Sequence, residues 1–378
     1  MIPFNRPYIS GKEAEYISEV LLSGRFAGDG SFTRRCEALL EKHLGGGRAM
    51  LTTSCTDALE AAALLCQISP GDEVVMPSFT FSSTANAFAL RGAVIRFVDS
   101  LPDQPNLDHD AVEALITPRT RAIVAVHYAG VACEMDVLGQ IARRRGLHIV
   151  EDAAQAIAST FRGAPLGSIG HLAAFSFHET KNVIAGEGGS LHINDPALVP
   201  RGEILREKGT NRSAFFRGEV DKYGWVDIGS SFLPSELIAA FLCAQLESLE
   251  RIQARRLMLW RAYDEGLASV ARAGALRLPV VPNYASNNAH MYYIVCDTLD
   301  VRSRLLAELK SHGFMATFHY QSLHASSFYR DKHDGRALPN ADLYSDCLLR
   351  LPMFHDLTID DVDRICKVVC AFFGAGGA

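Results

Sequence analysis

Four groups of side chains in this 378-residue chain are typed and spaced for chemistry. The segment LHIVEDAAQAIAS ends an apolar run in Glu151 and Asp152, which sets a carboxylate at the C-terminal mouth of a parallel strand, where open α/β sheets take up ligands. Asp152 then faces either a ligand or the start of the next helix as its cap. Farther along, AAFSFHETKNVIAGEGG presents Ser176 and Lys181 after an aromatic strand and before Gly186, Gly188 and Gly189. Glycines there let backbone approach a ligand closely, and a lysine so held could lose its proton and form a Schiff base; the alternative is a solvated loop lysine. Upstream, LTTSCTDALEAAALL puts Thr53, Ser54 and Thr56 ahead of a helix. Hydroxyls and free N–H groups at a helix start make an anion site suited to phosphate, or a plain N-cap. In PSFTFSSTAN, Phe79 and Phe81 either stack on a planar ring or fill core.

One ligand satisfies all four groups: a phosphate for the helix start, a flat ring for the phenylalanine, a basic ring nitrogen for Asp152 and an aldehyde for Lys181. Pyridoxal phosphate has each of these parts.

The elements that must position these residues follow from periodicity. The chain is more than twice the roughly 150 residues that one core usually organises, so two domains are expected, a large α/β domain over 1–245 and a smaller α+β domain over 246–378. Gly and Pro clusters cut the first 200 residues into alternating helical and β-rich pieces, the pattern of a mostly parallel sheet covered by helices. Helical spacing marks 12–23, 33–44, 57–66, 108–116 and 136–145, and DEVVMP, AVIRFVD, RAIVAVHY, LHIVEDA, LAAFSF and GSLHIND are the expected strands. From Pro234 a run through Trp260 keeps helical spacing and is expected to be one helix crossing between the domains. Strands at LRLPVVP and HMYYIVC, a helix at 301–312 and a final helix from Asp360 complete the smaller domain, with the GAGGA tail frayed.

Composition narrows the function classes. Apolar residues at 48% and charged residues at 21% suit a large buried core and argue against disorder. A net charge of −6 disfavours a broad nucleic-acid surface. Nine scattered cysteines without a Cys-x-x-Cys pair suggest reduced thiols in a cytoplasmic setting and no metal site. MIPFNRPYIS lacks the charged start and apolar core of a leader, and no stretch of about 18 apolar residues offers a membrane span, so neither export nor membrane insertion is expected.

The ordered motifs TSCTDALEAA, GDEVVMPSFTFSSTANA, HYAGVACEMD, VEDAAQAIAS, FSFHETKN and GEGGSL resemble the DegT/StrS family of nucleotide-sugar aminotransferases, fold type I enzymes that use pyridoxal phosphate. EKGTNRSAFFRGEVDKYGW and DIGSSFLPSEL resemble the branch that converts dTDP-4-keto-6-deoxy-D-glucose to dTDP-4-amino-4,6-dideoxy-D-galactose for surface polysaccharide, with L-glutamate as amino donor. The resemblance implies that Lys181 is the Schiff-base lysine and that Asp152 pairs with the ring nitrogen. It implies that Gln155 meets the ring hydroxyl, that Ser176, Cys55 and Thr56 hold the phosphate, and that Phe81 stacks on the ring. In much of the family a GxNxR stretch sends an asparagine to the phosphate of the neighbouring subunit; here GSSFL puts Ser231 at that place and Leu233 where the arginine stood. A homodimer with shared sites is the implied assembly.

A nucleotide sugar also needs cations for its diphosphate. Lys208, Arg212, Arg217 and Lys222 are candidates, each competing with a solvated-face reading. FHYQSLHAS brings His319, Tyr320 and His324 close together; the resemblance places Tyr320 and His324 near the sugar, with core or surface histidines as the alternative. Four other functions compete, the first an aminotransferase of the same family acting on a 3-keto sugar or on a different nucleotide. A dehydratase of the same family carries histidine in place of Lys181, a non-catalytic regulator would have lost the chemical set, and a nicotinamide oxidoreductase would carry G-x-G-x-x-G after a strand.

Overall fold

The computed structural model describes residues 1–374, so the last four residues of the GAGGA tail lie outside the described residues. Two helices, α1 (Glu13–Ser23) and α2 (Ser31–Leu44), precede strand β1 (Arg48–Thr52) and helix α3 (Cys55–Leu65). There follow β2 (Glu73–Pro77), α4 (Ser82–Ala89), β3 (Val94–Val98), β4 (Thr120–Val126), α5 (Met135–Arg145) and β5 (His148–Asp152). A short hairpin of β6 (Thr160–Phe161) and β7 (Ala164–Pro165) leads to β8 (Leu172–Ser176) and β9 (Gly189–Ile193). The seven long strands form one sheet in the order β1-β9-β8-β5-β4-β2-β3, in which β9 alone runs against the rest.

Both faces of this sheet are covered, which explains why its strands are apolar at nearly every position. Successive residues alternate between two cores: Val74, Met76, Ala122 and Val124 join the core containing α3 and α4, whereas Val75, Ile123 and Ala125 join the one containing α1, α2 and α5. All six strands expected in this half are present.

Beyond the sheet come α6 (Val199–Arg206), α7 (Arg212–Phe216), α8 (Glu236–Glu247) and α9 (Leu249–Arg272). The expected single helix from Pro234 is therefore two, broken at Ser248, which leaves helical geometry with ψ near 5°. No Gly or Pro marks this break, so spacing alone runs through it. The C-terminal part holds β10 (Tyr292–Val295), α10 (Leu299–Ser311), α11 (Pro339–Cys347), β11 (Leu348–Leu351) and α12 (Ile359–Phe372). β10 and β11 pair antiparallel, with α9, α10 and α12 burying one face in a third core.

Two expectations fail locally. LRLPVVP forms no strand, only a bridge from Arg277 to Val295, because its prolines remove ladder donors. The helix at 108–116 is one short turn at Glu113–Leu115, since Asp108 turns its side chain onto the N–H of Asp110 and diverts the backbone.

Glu151, one residue before the strand mouth, is fully buried and locks that mouth in place. Its carboxylate accepts N–H bonds from Gly167 (2.7 Å), Ile169 (2.8 Å) and Gly170 (2.6 Å) and faces Nε2 of buried His127 at 2.9 Å. The Cys133 N–H points at His127 Nδ1 (3.2 Å), so Nε2 carries the proton given to Glu151. Burial alone would raise the Glu151 carboxyl, but the hydrogen bond from His127 and the backbone donors hold it below the ordinary range. Glu151→Ala is expected to destabilise the fold by about 3–5 kcal/mol, because four donors lose a buried partner; denaturant unfolding measures it. Since the folded value is depressed, this stabilisation is present above the unfolded carboxylate value of about 4.3 and is lost as pH falls through the folded one.

Candidate active site

The sheet, β11 and the segments that follow β1, β2, β5 and β8 line a cavity of about 900 Å³ at the C-terminal ends of β5 and β8. Asp152 and Ser176, the last residues of those strands, both reach it. Asp152 Oδ2 accepts the Thr84 hydroxyl at 2.7 Å and Oδ1 the Ala154 N–H at 3.2 Å, which fixes the plane of the carboxylate. Thr84 is in turn held by the Thr80 hydroxyl at 2.9 Å. Burial raises the Asp152 carboxyl, opposed by the Thr84 and Ala154 bonds and by the charge of Lys181.

Lys181 lines the same cavity, and among the described residues its amine makes no hydrogen bond or ion pair. Its backbone is held firmly, with the N–H on His178 O at 2.9 Å. The next residue clamps the loop: Asn182 Nδ2 donates to Asn288 O (2.8 Å) and Gln253 Oε1 (3.1 Å), and its Oδ1 faces His290 Nδ1 at 3.0 Å. Burial lowers the Lys181 pKa, and Arg350 adds to this, whereas Cys55 and Asp152 oppose it. The net lowering makes the neutral, nucleophilic amine easier to reach than in a solvated lysine.

Across the cavity, α3 begins at Cys55 after Ser54, whose hydroxyl oxygen accepts the Asp57 N–H at 3.1 Å. As the first two residues of the helix, Cys55 and Thr56 have no intrahelical partner for their N–H groups. A Cβ on Gly189 would collide with the Cys55 nitrogen, so only glycine lets β9 pass there. The Thr56 hydroxyl donates to Ser83 Oγ at 2.8 Å. Phe81, at the start of α4, leaves 56% of its surface uncovered although it lines the cavity, and its ring stands 5.9 Å from that of Tyr320. Gln155 accepts the Ala129 N–H (2.6 Å) and donates to the Tyr320 hydroxyl (2.8 Å), which leaves one amide hydrogen for a ligand. The left-handed backbone of Ala129, φ 55°, aims that N–H.

These donors fit pyridoxal phosphate. The free helix N–H groups of Cys55 and Thr56 and the Ser176 hydroxyl suit a phosphate, an uncovered aromatic face suits its ring, a fixed carboxylate suits the ring nitrogen, and an unpartnered amine suits its aldehyde.

The structure thus brings Cys55, Thr56, Phe81, Asp152, Gln155, Ser176, Lys181 and Tyr320 to one cavity. It does not bring His324 there: that ring bonds Ser78 Oγ at 2.7 Å and stands 3.6 Å from Asp342. Lys208, Arg212, Lys222 and Ser231 also lie outside the lining. Lys208 and Arg212 stand 3.5 and 3.9 Å from Glu207, Ser231 bridges to Glu207, and Lys222 is exposed. Thr84, Tyr128, His290 and Arg350 complete the surroundings and were not singled out by sequence reasoning. Arg350 sits among leucines in LLRLP, and His290 follows two asparagines in NNAHMYY; neither context distinguishes a site residue from a strand residue.

Residues 7–370 match the DegT/DnrJ/EryC1/StrS aminotransferase family. The chain belongs to this family. Among solved structures it is similar to the aminotransferase TlmJ from Streptoalloteichus hindustanus, with 31% identity over 99% of each chain and a TM-score of 0.90. It is also similar to DesV of S. venezuelae, at 32% identity over 98% of each chain with a TM-score of 0.89. Spr1654 from Streptococcus pneumoniae, solved in PLP, PMP and apo forms, matches at 25–26% identity; its PMP form covers 99% of each chain with a TM-score of 0.91. The open sheet and the cavity at its strand ends are therefore those of an aminotransferase. Among the described residues, no helix is long and apolar enough to cross a membrane.

Proposed function

We propose that this aminotransferase moves the amino group of L-glutamate to C4 of a nucleotide-linked 4-keto-6-deoxy sugar, with dTDP-4-keto-6-deoxy-D-glucose as acceptor and dTDP-4-amino-4,6-dideoxy-D-galactose as product. The observation that carries this reading is the unpartnered amine of Lys181 in a cavity it shares with Asp152, a carboxylate fixed by Thr84. Pyridoxal phosphate is the cofactor. When bound, it supplies an aldehyde that takes up the amino group and a ring that accepts electrons released at the donor Cα.

The chain's own residues do the rest. Asp152 holds a proton on the ring nitrogen, and Thr84 with Ala154 keeps its oxygens aimed there. Lys181 Nζ takes the proton from the donor Cα as general base and returns one as general acid. Phe81 covers one ring face, Gln155 meets the ring hydroxyl, and Ser176 with Cys55 and Thr56 takes the phosphate. Glutamate leaves as 2-oxoglutarate, and the same proton movements in reverse set the amine on the sugar.

The diphosphate needs cations, and the described cavity lining offers no lysine or arginine beyond Lys181 and Arg350. Lys208, Arg212 and Lys222 fit that need if segment 208–231 reaches a second subunit, as in a homodimer with shared sites. That segment also exposes apolar side chains, with Phe216 70%, Tyr223 53% and Trp225 82% exposed, a surface that favours a partner. Ser231 lies in the same segment and would face the phosphate of the neighbouring subunit.

Incubation with L-glutamate and a panel of nucleotide 4-keto and 3-keto sugars tests the reading. The expected result is one 2-oxoglutarate per amino sugar, NMR placing nitrogen at C4, and sedimentation at twice the 41.2 kDa chain mass. Keto-sugar consumption without 2-oxoglutarate release would point to dehydration instead.

A further inference from the structure

Arg350 is a cation without a counterion. It extends from β11 into the cavity, and among the described residues no carboxylate lies within 4.0 Å of its guanidinium. One edge is anchored, with Nε and Nη2 donating to Phe318 O at 3.3 and 3.0 Å. Its guanidinium carbon lies over the ring of Phe4, 4.6 Å from the centroid, a second restraint on the side chain. Among the described residues Nη1 has no hydrogen-bond partner. An arginine held this rigidly, with a free donor and no acidic neighbour, is built to receive an anion that arrives with a ligand.

Its surroundings select the anion. Buried His290 and His319 are shifted toward their neutral forms, their pKa lowered first by burial and then by neighbouring positive charges that include Arg350. His319 bonds the Tyr128 hydroxyl at 2.6 Å and stacks on Tyr320 at 3.5 Å. Arg350 and Lys181 line the same cavity, so the free donor shares that space with the reacting amine. A carboxylate one bond from the reacting Cα fits that proximity. The diphosphate of a nucleotide sugar does not, because it hangs from C1, across the sugar ring from the reacting C4.

We infer that Arg350 receives a carboxylate of the amino donor, which makes it the residue that admits amino acids to a site shared with an uncharged sugar ring. The inference rests on the aminotransferase reading above and assigns the donor subsite within it.

Calorimetric titration of the cofactor-loaded protein with glutarate, an unreactive dicarboxylate, and separately with dTDP tests this. Loss of the charge-assisted bond from Nη1 is expected to weaken glutarate binding in Arg350→Gln by about 10–100-fold. Arg350→Lys, which keeps the charge and loses the fork, should weaken it less, and dTDP affinity should stay within about threefold in both variants. The KM for L-glutamate should rise in parallel with the glutarate dissociation constant, with the KM for the keto sugar unmoved. Unchanged glutarate binding in Arg350→Gln, or equal loss of both ligands, overturns the inference while leaving the aminotransferase reading intact. If instead the wild-type protein binds no glutarate and releases no 2-oxoglutarate from glutamate, it is that underlying reading that fails.

Discussion

Lys181→Ala is expected to lower amine transfer from L-glutamate by at least about 10⁴-fold, the upper end of what positioned acid–base catalysis contributes. It should also remove the visible absorption band of the lysine-bound cofactor and the borohydride label on the peptide around position 181. The expectation follows from the isolation of the amine. Nothing in the described chain bonds to it, so no other interaction is lost with it, and the fold should survive by circular dichroism. Burial and Arg350 push its pKa down from the ordinary lysine value of about 10.4. Only the neutral amine attacks an aldehyde, so cofactor uptake by the apoprotein should quicken with pH through a midpoint below that value. A variant that kept both the band and wild-type turnover would remove the foundation of the proposed chemistry.

Much of this site was legible in the sequence because its parts sit where local pattern is strong. Asp152 ends an apolar run, and such runs are what strands buried on both faces require. Cys55 and Thr56 open a helix of good helix formers behind a hydroxyl cap, and Gly189 stands where any Cβ would strike the Cys55 nitrogen. What sequence reasoning missed depends on contacts between distant segments. Thr84 holds Asp152 from 68 residues away, Asn182 is tied to His290 from 108 residues away, and Arg350 acquires its role by lying over Phe4. Each has an ordinary local context: a threonine in a helix, an asparagine in a loop, an arginine alternating with leucines. The break at Ser248 was hidden for the converse reason, since apolar spacing continues across it while the two helices bury their faces in different cores. The basic residues of 208–231 were legible as charge, but their own chain does not fold them onto the cavity.

Asp152→Asn should be the second most damaging change, lowering the rate by at least about 10²–10³-fold, the cost of removing one preorganised electrostatic partner in a water-poor site. The amide keeps the size of the carboxylate and can still accept the Thr84 hydroxyl, so besides the charge only the longer bond from the Ala154 N–H is given up. A neutral amide cannot hold a proton on the ring nitrogen, and an unprotonated ring is a poor acceptor for the electrons released at Cα. The effect should fall on the proton-transfer step, and a deuterium at the glutamate Cα should slow the variant more than the wild type. Thr84→Val provides the control for position. It leaves the charge but frees one oxygen, and a drop of about tenfold, the worth of one charge-assisted hydrogen bond, would show how far aim matters beyond charge. Wild-type rate and isotope effect in Asp152→Asn would mean that the carboxylate only shapes the strand end, and that the electrons are accepted without its help.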